Sequence, residues 1–159
     1  MRILGAQGGE KVLGAVREAA KDAEPAVRDA ALRLLCDWPT PDVLPDLAAL
    51  AKAPPTPAFR ILALRAQLRL VPLQAATDDQ KAASVREVMR LVERDDEKRL
   101  ALSVLGGVAS AGALEMAAGE LGSPTLKDEA CQAVVAISER LVAKDPDAVL
   151  DALPGVLEK

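Results

Sequence analysis

Apolar residues return every three or four positions along most of this chain, with polar residues between them, the spacing of amphipathic helices. The clearest case is EPAVRDAALRLLCDWP at residues 24–39, one helix with a marked start and a marked stop. A second, PAFRILALRAQLRL, begins at Pro57. Five further stretches carry the same period. They are 11–22 (Val12, Leu13, Val16, Ala19, Ala20), 42–52 (Val43, Leu44, Leu47, Leu50), 82–92 (Val85, Val88, Met89, Val92), 111–121 (Leu114, Ala117, Ala118, Leu121) and 147–157 (Val149, Leu150, Leu153, Leu157).

One of these helices is written more than once. Aligning Arg28, Arg60, Arg99 and Asp128 places Ala30, Leu62, Ala101 and Ala130 two positions on. Ala31, Ala63, Leu102 and Cys131 follow at three, and Leu34, Ala66, Leu105 and Val134 at six. Offsets of two, three and six lie on one helical face, and the intervals of 32, 39 and 29 residues each fit one helical hairpin.

The punctuation agrees. Thr40 before Pro41, Thr77 or Asp78 in QAATDD, Ser123 before Pro124 and Asp145 before Pro146 are expected N-caps. The prolines of APPTP at 53–57 mark a tight corner, and Pro154 is expected to kink or fray the last helix. About nine helices result, in hairpins at 9–38, 40–71, 77–109 and 110–144 with a terminal helix at 146–158. A lone hairpin cannot bury its apolar face, whereas stacked neighbours share a continuous core. The whole chain, 1–159, is therefore read as a single repeat array.

At DAEPAVRDAALRLL the chain resembles a HEAT repeat, and it is similar to the HEAT-like repeats of bacterial proteins that include the phycobilisome lyase class. Asp22, Pro25, Val27, Arg28, Ala30, Ala31 and Leu34 match that pattern. The second copy keeps Pro57, Phe59, Arg60 and Ala63; the third has Glu93 and Arg99 without the proline; the fourth has Asp128 in place of the arginine. The resemblance implies an all-α fold, a right-handed α-solenoid of four to five hairpins, and specifies no activity. Asp22 at the inter-helix corner is expected to pair with Arg28.

Composition narrows the function. Half the residues are hydrophobic, yet there is one Phe, one Trp and no Tyr, so the core is built from Ala, Leu and Val, which suit closely packed helices. Twenty basic and 24 acidic residues leave a net charge of −4, against the basic excess of nucleic-acid binders. No apolar run reaches the length of a membrane span. MRILGAQGG is too short and polar for a signal peptide and reads as the tail of a helix. The chain is accordingly expected to be a piece of a longer protein, and no compartment is assigned.

Candidate chemistry is sparse. The absence of histidine removes Cys/His zinc sites and imidazole acid–base catalysis. Cys36 and Cys131 fall among apolar neighbours and are expected to be buried. The acids of TDDQK (77–81) and ERDDEK (93–98) lack calcium-loop spacing and are read as helix-start charges. LGGVASAG (105–112) lacks the Lys and Ser of a phosphate loop and is read as a corner. Trp38 is expected as a core cap between repeats, or else as an exposed anchor at a groove end. No catalytic set, metal or cofactor is assigned.

If the second helices of the hairpins line a concave layer, as the resemblance implies, Arg33, Arg65 and Arg69 point into the groove. Their counterparts in later copies are taken as Ser103 and Gln132, so the groove is basic in its N-terminal half and neutral beyond. The expected function is a non-enzymatic protein-interaction or scaffold module for a protein or peptide, an acidic one by charge. The alternatives are a nucleic-acid-binding HEAT-like module and a lyase-type enzyme of the repeat class. End-to-end self-association is a further expectation.

Overall fold

The computed structural model describes residues 9–144, 146–147 and 149–150. All regular structure among them is helical. Eight α-helices carry it: α1 Glu10–Ala19, α2 Pro25–Cys36, α3 Leu44–Lys52, α4 Pro57–Leu70, α5 Asp78–Met89, α6 Asp95–Leu105, α7 Ala111–Gly119 and α8 Lys127–Val142. One-turn 3₁₀ helices at Pro41–Val43 and Val71–Leu73 precede α3 and follow α4. The expected kink at Pro154, the cap at Asp145 and most of the terminal helix lie outside the described residues; within that stretch Val149 is buried.

The chain divides into two compact units, one ending at Leu73 and the other beginning at Gln74. In the first, α1 packs on α2, α3 on α4, and α2 lies against both α3 and α4. In the second, α5 packs on α6 and α7 on α8, while α5 lies against α7 and α6 against α7 and α8. Each unit is thus two helical hairpins whose second helices touch.

The apolar stripes explain the packing. In the first unit Leu13, Leu32, Leu35, Val43, Leu47, Phe59, Leu64 and Leu68 are buried; in the second, Val85, Leu102, Leu105, Leu114, Leu126 and Ile137. Each large side chain removed from water stabilises by about 1.5–3 kcal/mol. Small residues fill the crossings: Ala51, Ala63, Ala101, Ala113, Ala117 and Ala130 are all but fully enclosed. The expected 2, 3, 6 face needs correction at its two ends. Ala30 and Cys131 are exposed, because α2 buries Ala31, Leu32, Leu35 and Cys36, and α8 buries Ala130, Ala133, Ile137 and Leu141.

Arginines on the first helices of the hairpins bridge to the next hairpin. Arg17 of α1 donates through Nε and Nη2 to both carboxylate oxygens of Asp46 in α3 (3.0 and 2.7 Å) and through Nη2 to the Asp42 carbonyl (3.1 Å). Arg86 of α5 makes the equivalent reach to Glu115 and the Gly112 carbonyl of α7, both at 3.4 Å.

Helix starts follow their local chemistry. Thr77 and Gln80 form a reciprocal capping box: the Gln80 N–H donates to Thr77 Oγ1 (3.3 Å), and the Thr77 N–H donates to Gln80 Oε1 (3.0 Å). The expected caps at Thr40 and Ser123 are not made. The Thr40 hydroxyl donates to the Asp42 carboxylate, and Ser123 pairs with Thr125 (3.3 Å) while α8 begins only at Lys127. Asp95, Asp96 and Glu97 occupy the first turn of α6, where the helix dipole favours negative charge.

Candidate functional site

The five groove candidates fall in both units, three on α2 and α4 and two on α6 and α8. Arg33 is exposed on α2, and its guanidinium stands over the ring of buried Phe59 on α4, 5.4 Å from the centroid. Such a cation–π contact is worth about 0.5–1 kcal/mol at a surface and holds the charge in place. Arg65 is exposed one turn before the end of α4 and is engaged by neighbours. Arg69 is otherwise occupied: its Nη2 donates to the carbonyls of Cys36 (3.1 Å) and Trp38 (2.8 Å). These are orphan acceptors at the end of α2, so Arg69 closes that helix from its neighbour.

Trp38 is buried, 2% exposed, which fits the core-cap expectation and removes it as a surface anchor. Its indole N–H finds no hydrogen-bond partner.

Ser103 and Gln132 are brought together. Both are exposed, and both line a shallow open depression of about 430 Å³ between α6 and α8. Leu102, Ala133 and Ala136 supply its apolar surface, and Gly106 and Gly107 leave room where side chains would stand. Arg99, Glu129 and Arg140 give its charge. Counted from the aligned residue, Ser103 and Gln132 come at four positions where Arg33 and Arg65 come at five. At five, Val104 is half-buried and Ala133 buried, so the exposed position comes one residue earlier after the aligned residue in α6 and α8 than in α2 and α4.

A second depression, about 490 Å³, lies between α5 and α7 among Asp79, Ala83, Ser84, Arg86, Glu87 and Gly112. At its edge the buried Ser110 hydroxyl donates to Asp79 Oδ1 at 2.6 Å, joining the start of α7 to the first turn of α5.

Among the repeat-motif residues one expected pairing needs correction. Pro25 opens α2, and Asp22 Oδ1 accepts the N–H of Glu24 at 2.8 Å, an Asx-type turn. Asp22 forms no ion pair with Arg28 among the described residues; the acid is used by the loop backbone immediately after it. Val27 is exposed, Arg28 and Arg60 are half-buried, and Glu93 is exposed at a corner. Arg99 shows what the motif arginine can do: Nε donates to Glu129 (3.0 Å) and Nη2 to the Thr125 carbonyl (2.8 Å), linking α6 to the start of α8.

Cysteine chemistry is divided. Cys36 is buried, and desolvation pushes its thiol up to about 11, with the Asp37 carboxylate adding to the shift. Cys131 is exposed, contrary to expectation, because it lies on the side of α8 away from both the core and α6. Among the described residues no group of three or more carboxylates and thiols gathers as a metal site. No described helix is long and apolar enough to cross a membrane.

The bridging arginines Arg17 and Arg86, and Arg140 at the depression, are absent from the motif reading. A signal for the first two exists: Val-Arg-Glu recurs at 16–18 and 85–87, with an acid 29 residues after each arginine. The fold defines an all-α protein of paired helices. No family model, no curated protein and no solved structure matches the chain.

Proposed function

We propose that this chain is a non-enzymatic interaction module, a right-handed HEAT-like stack of hairpins whose second helices present a binding surface to an acidic peptide or protein segment. The observation that carries this reading is the packing of α2 on α4 and of α6 on α8. Side-by-side second helices leave Arg33 and Arg65 exposed on the first pair, and Ser103 and Gln132 on the second, beside an open depression with Arg140 at its edge. Exposed guanidinium groups steer an acidic partner and pair with carboxylates in a planar fork. Arg69 takes no part, since it holds the end of α2.

The test is titration of a fluorescein-labelled oligoglutamate peptide by anisotropy. The native chain is expected to bind with an affinity that falls as salt rises. The Arg33→Glu/Arg65→Glu variant, its helicity checked by circular dichroism, is expected to bind at least about tenfold more weakly, which corresponds to about 1.4 kcal/mol. Equal binding by the variant, or tighter and salt-sensitive binding of a duplex DNA probe in the same titration, overturns the reading; the second result favours nucleic acid.

A further inference from the structure

The depression between α6 and α8 is polarised along its length. On α8, Glu129, Gln132, Ala136 and Arg140 follow one another at spacings of three, four and four, so they share the stripe that lines it. Glu129 stands at one end and is held by Arg99, whose Nε lies 3.0 Å from its carboxylate; Arg99 also meets Asp96 at 3.5 Å. Arg140 stands at the other end, about 16 Å further along the helix. It is exposed, and no hydrogen bond or ion pair engages it among the described residues. Of the charged groups lining the depression, Arg99 and Glu129 cancel, which leaves the guanidinium of Arg140 to meet an anion.

An apolar floor lies one turn away. Ala136 precedes Arg140 by one turn, about 6 Å along the axis. Leu102 and Ala133 extend the apolar surface beside it. Gly106 opposes Ala136: a Cβ at 106 would stand 3.7 Å from the Ala136 Cβ. Gly106 has right-handed helical backbone, φ −56° and ψ −19°, and that Cβ would meet only ordinary van der Waals contacts. Neither backbone nor packing demands glycine there, so what the missing side chain provides is open space against the floor. Ser103 and Gln132, exposed on the two helices, bring a hydroxyl and an amide that no described residue engages.

These features define a ligand. The guanidinium selects a carboxylate, the floor selects an apolar group within one turn of it, and the hydroxyl and amide both donate to and accept from peptide groups. A terminal leucine carries its side chain and its carboxylate on one residue, whereas an internal Asp or Glu spends its side chain on the charge. We infer that the depression between α6 and α8 binds the C-terminal residue of a peptide, its apolar side chain on Ala136 and Gly106 and its carboxylate on Arg140. The last peptide groups then lie beside Ser103 and Gln132. This rests on the reading of the second helices as a peptide-binding surface and adds what the second pair selects.

Fluorescence anisotropy on the full chain tests this with fluorescein-labelled Gly-Ser-Gly-Ser-Gly-Leu, once with a free C-terminal carboxylate and once amidated. Titration runs to about 1 mM protein. The native chain is expected to bind the carboxylate probe at least about tenfold more tightly than the amide. Arg140→Gln is expected to bring the two probes level. Gly106→Leu, which fills the space opposite Ala136, is expected to weaken the carboxylate probe by at least about tenfold. Circular dichroism establishes that both variants are folded. No binding of the carboxylate probe by the native chain, equal binding of both probes, or an Arg140→Gln chain that keeps the preference overturns the inference. The probe has no acidic side chain, so the Arg33→Glu/Arg65→Glu variant is expected to bind it as the native chain does. Loss of the oligoglutamate result with the carboxylate preference intact thus counts against acidic-peptide binding alone, and the reverse against this inference alone.

Discussion

Arg17 and Asp46 meet as a two-pronged pair, guanidinium fork to carboxylate, joining helices 29 residues apart in sequence. The same guanidinium also takes the Asp42 carbonyl, so one side chain fixes both the start and the first turns of the next hairpin. The hydrogen bonds to Asp46 raise the Arg17 pKa above its ordinary value. Arg86 and Glu115 repeat the arrangement with longer bonds and more exposed partners.

Replacing Arg17 by Gln is therefore expected to lower Tm more than replacing Arg86 by Gln. For a chain of this length the first change should be roughly 2–4 °C and the second within error. Arg17→Lys should recover little, since an ammonium cannot make the fork. Equal shifts from the two arginines in a thermal melt would contradict the geometric ranking.

Arg69 and Arg33 lie on neighbouring helices yet should behave oppositely. Arg69→Met leaves the Cys36 and Trp38 carbonyls without their donor and is expected to cost about 1–2 kcal/mol in urea unfolding. Arg33→Met loses a surface cation–π contact and should cost under about 1 kcal/mol while weakening peptide binding.

Gly14 sits inside α1 with nothing within 4 Å of where a Cβ would be, and no described glycine has a positive φ. Gly14→Ala should stabilise by about 0.4–1 kcal/mol, by restricting the unfolded chain and favouring the helix. A loss of stability in the same urea assay would show that a neighbour needs that space.

The two thiols should separate cleanly. Ellman's reagent is expected to label Cys131 promptly in the native protein and Cys36 only on unfolding. Burial raises the folded Cys36 pKa from the ordinary 9.0 to about 11, so the folded state keeps its proton more tightly. The associated stability is fully present below pH 9.0 and is lost as pH rises to about 11. The loss should be about 1–2 kcal/mol. Cys36→Ala should remove that part of the slope.

Helix identity was legible because the apolar period is local: eleven to sixteen residues suffice to show it, and Leu13, Val43, Leu47, Val85, Leu105 and Leu114 are all buried as the stripes predict. The cap at Thr77 was legible for the same reason, Gln80 being three residues on. Thr40 has Val43 at that position, and its hydroxyl turns to Asp42 instead. Long side chains were not legible. Arg69 reaches carbonyls more than 30 residues away, and Asp22 prefers the adjacent Glu24 amide to Arg28. Ala30 and Cys131 follow the right period but stand on sides of α2 and α8 that no described neighbour covers, and burial depends on the neighbour as much as on the helix.

The enclosure of Trp38 gives the protein an asymmetric optical reporter. It is the sole tryptophan, in a chain without tyrosine, and it belongs to the unit that ends at Leu73. Its emission during denaturation follows that half, whereas far-ultraviolet ellipticity averages over every helix. Superimposed curves would mean that the two halves melt as one cooperative body; an offset between them would measure how far each stands alone.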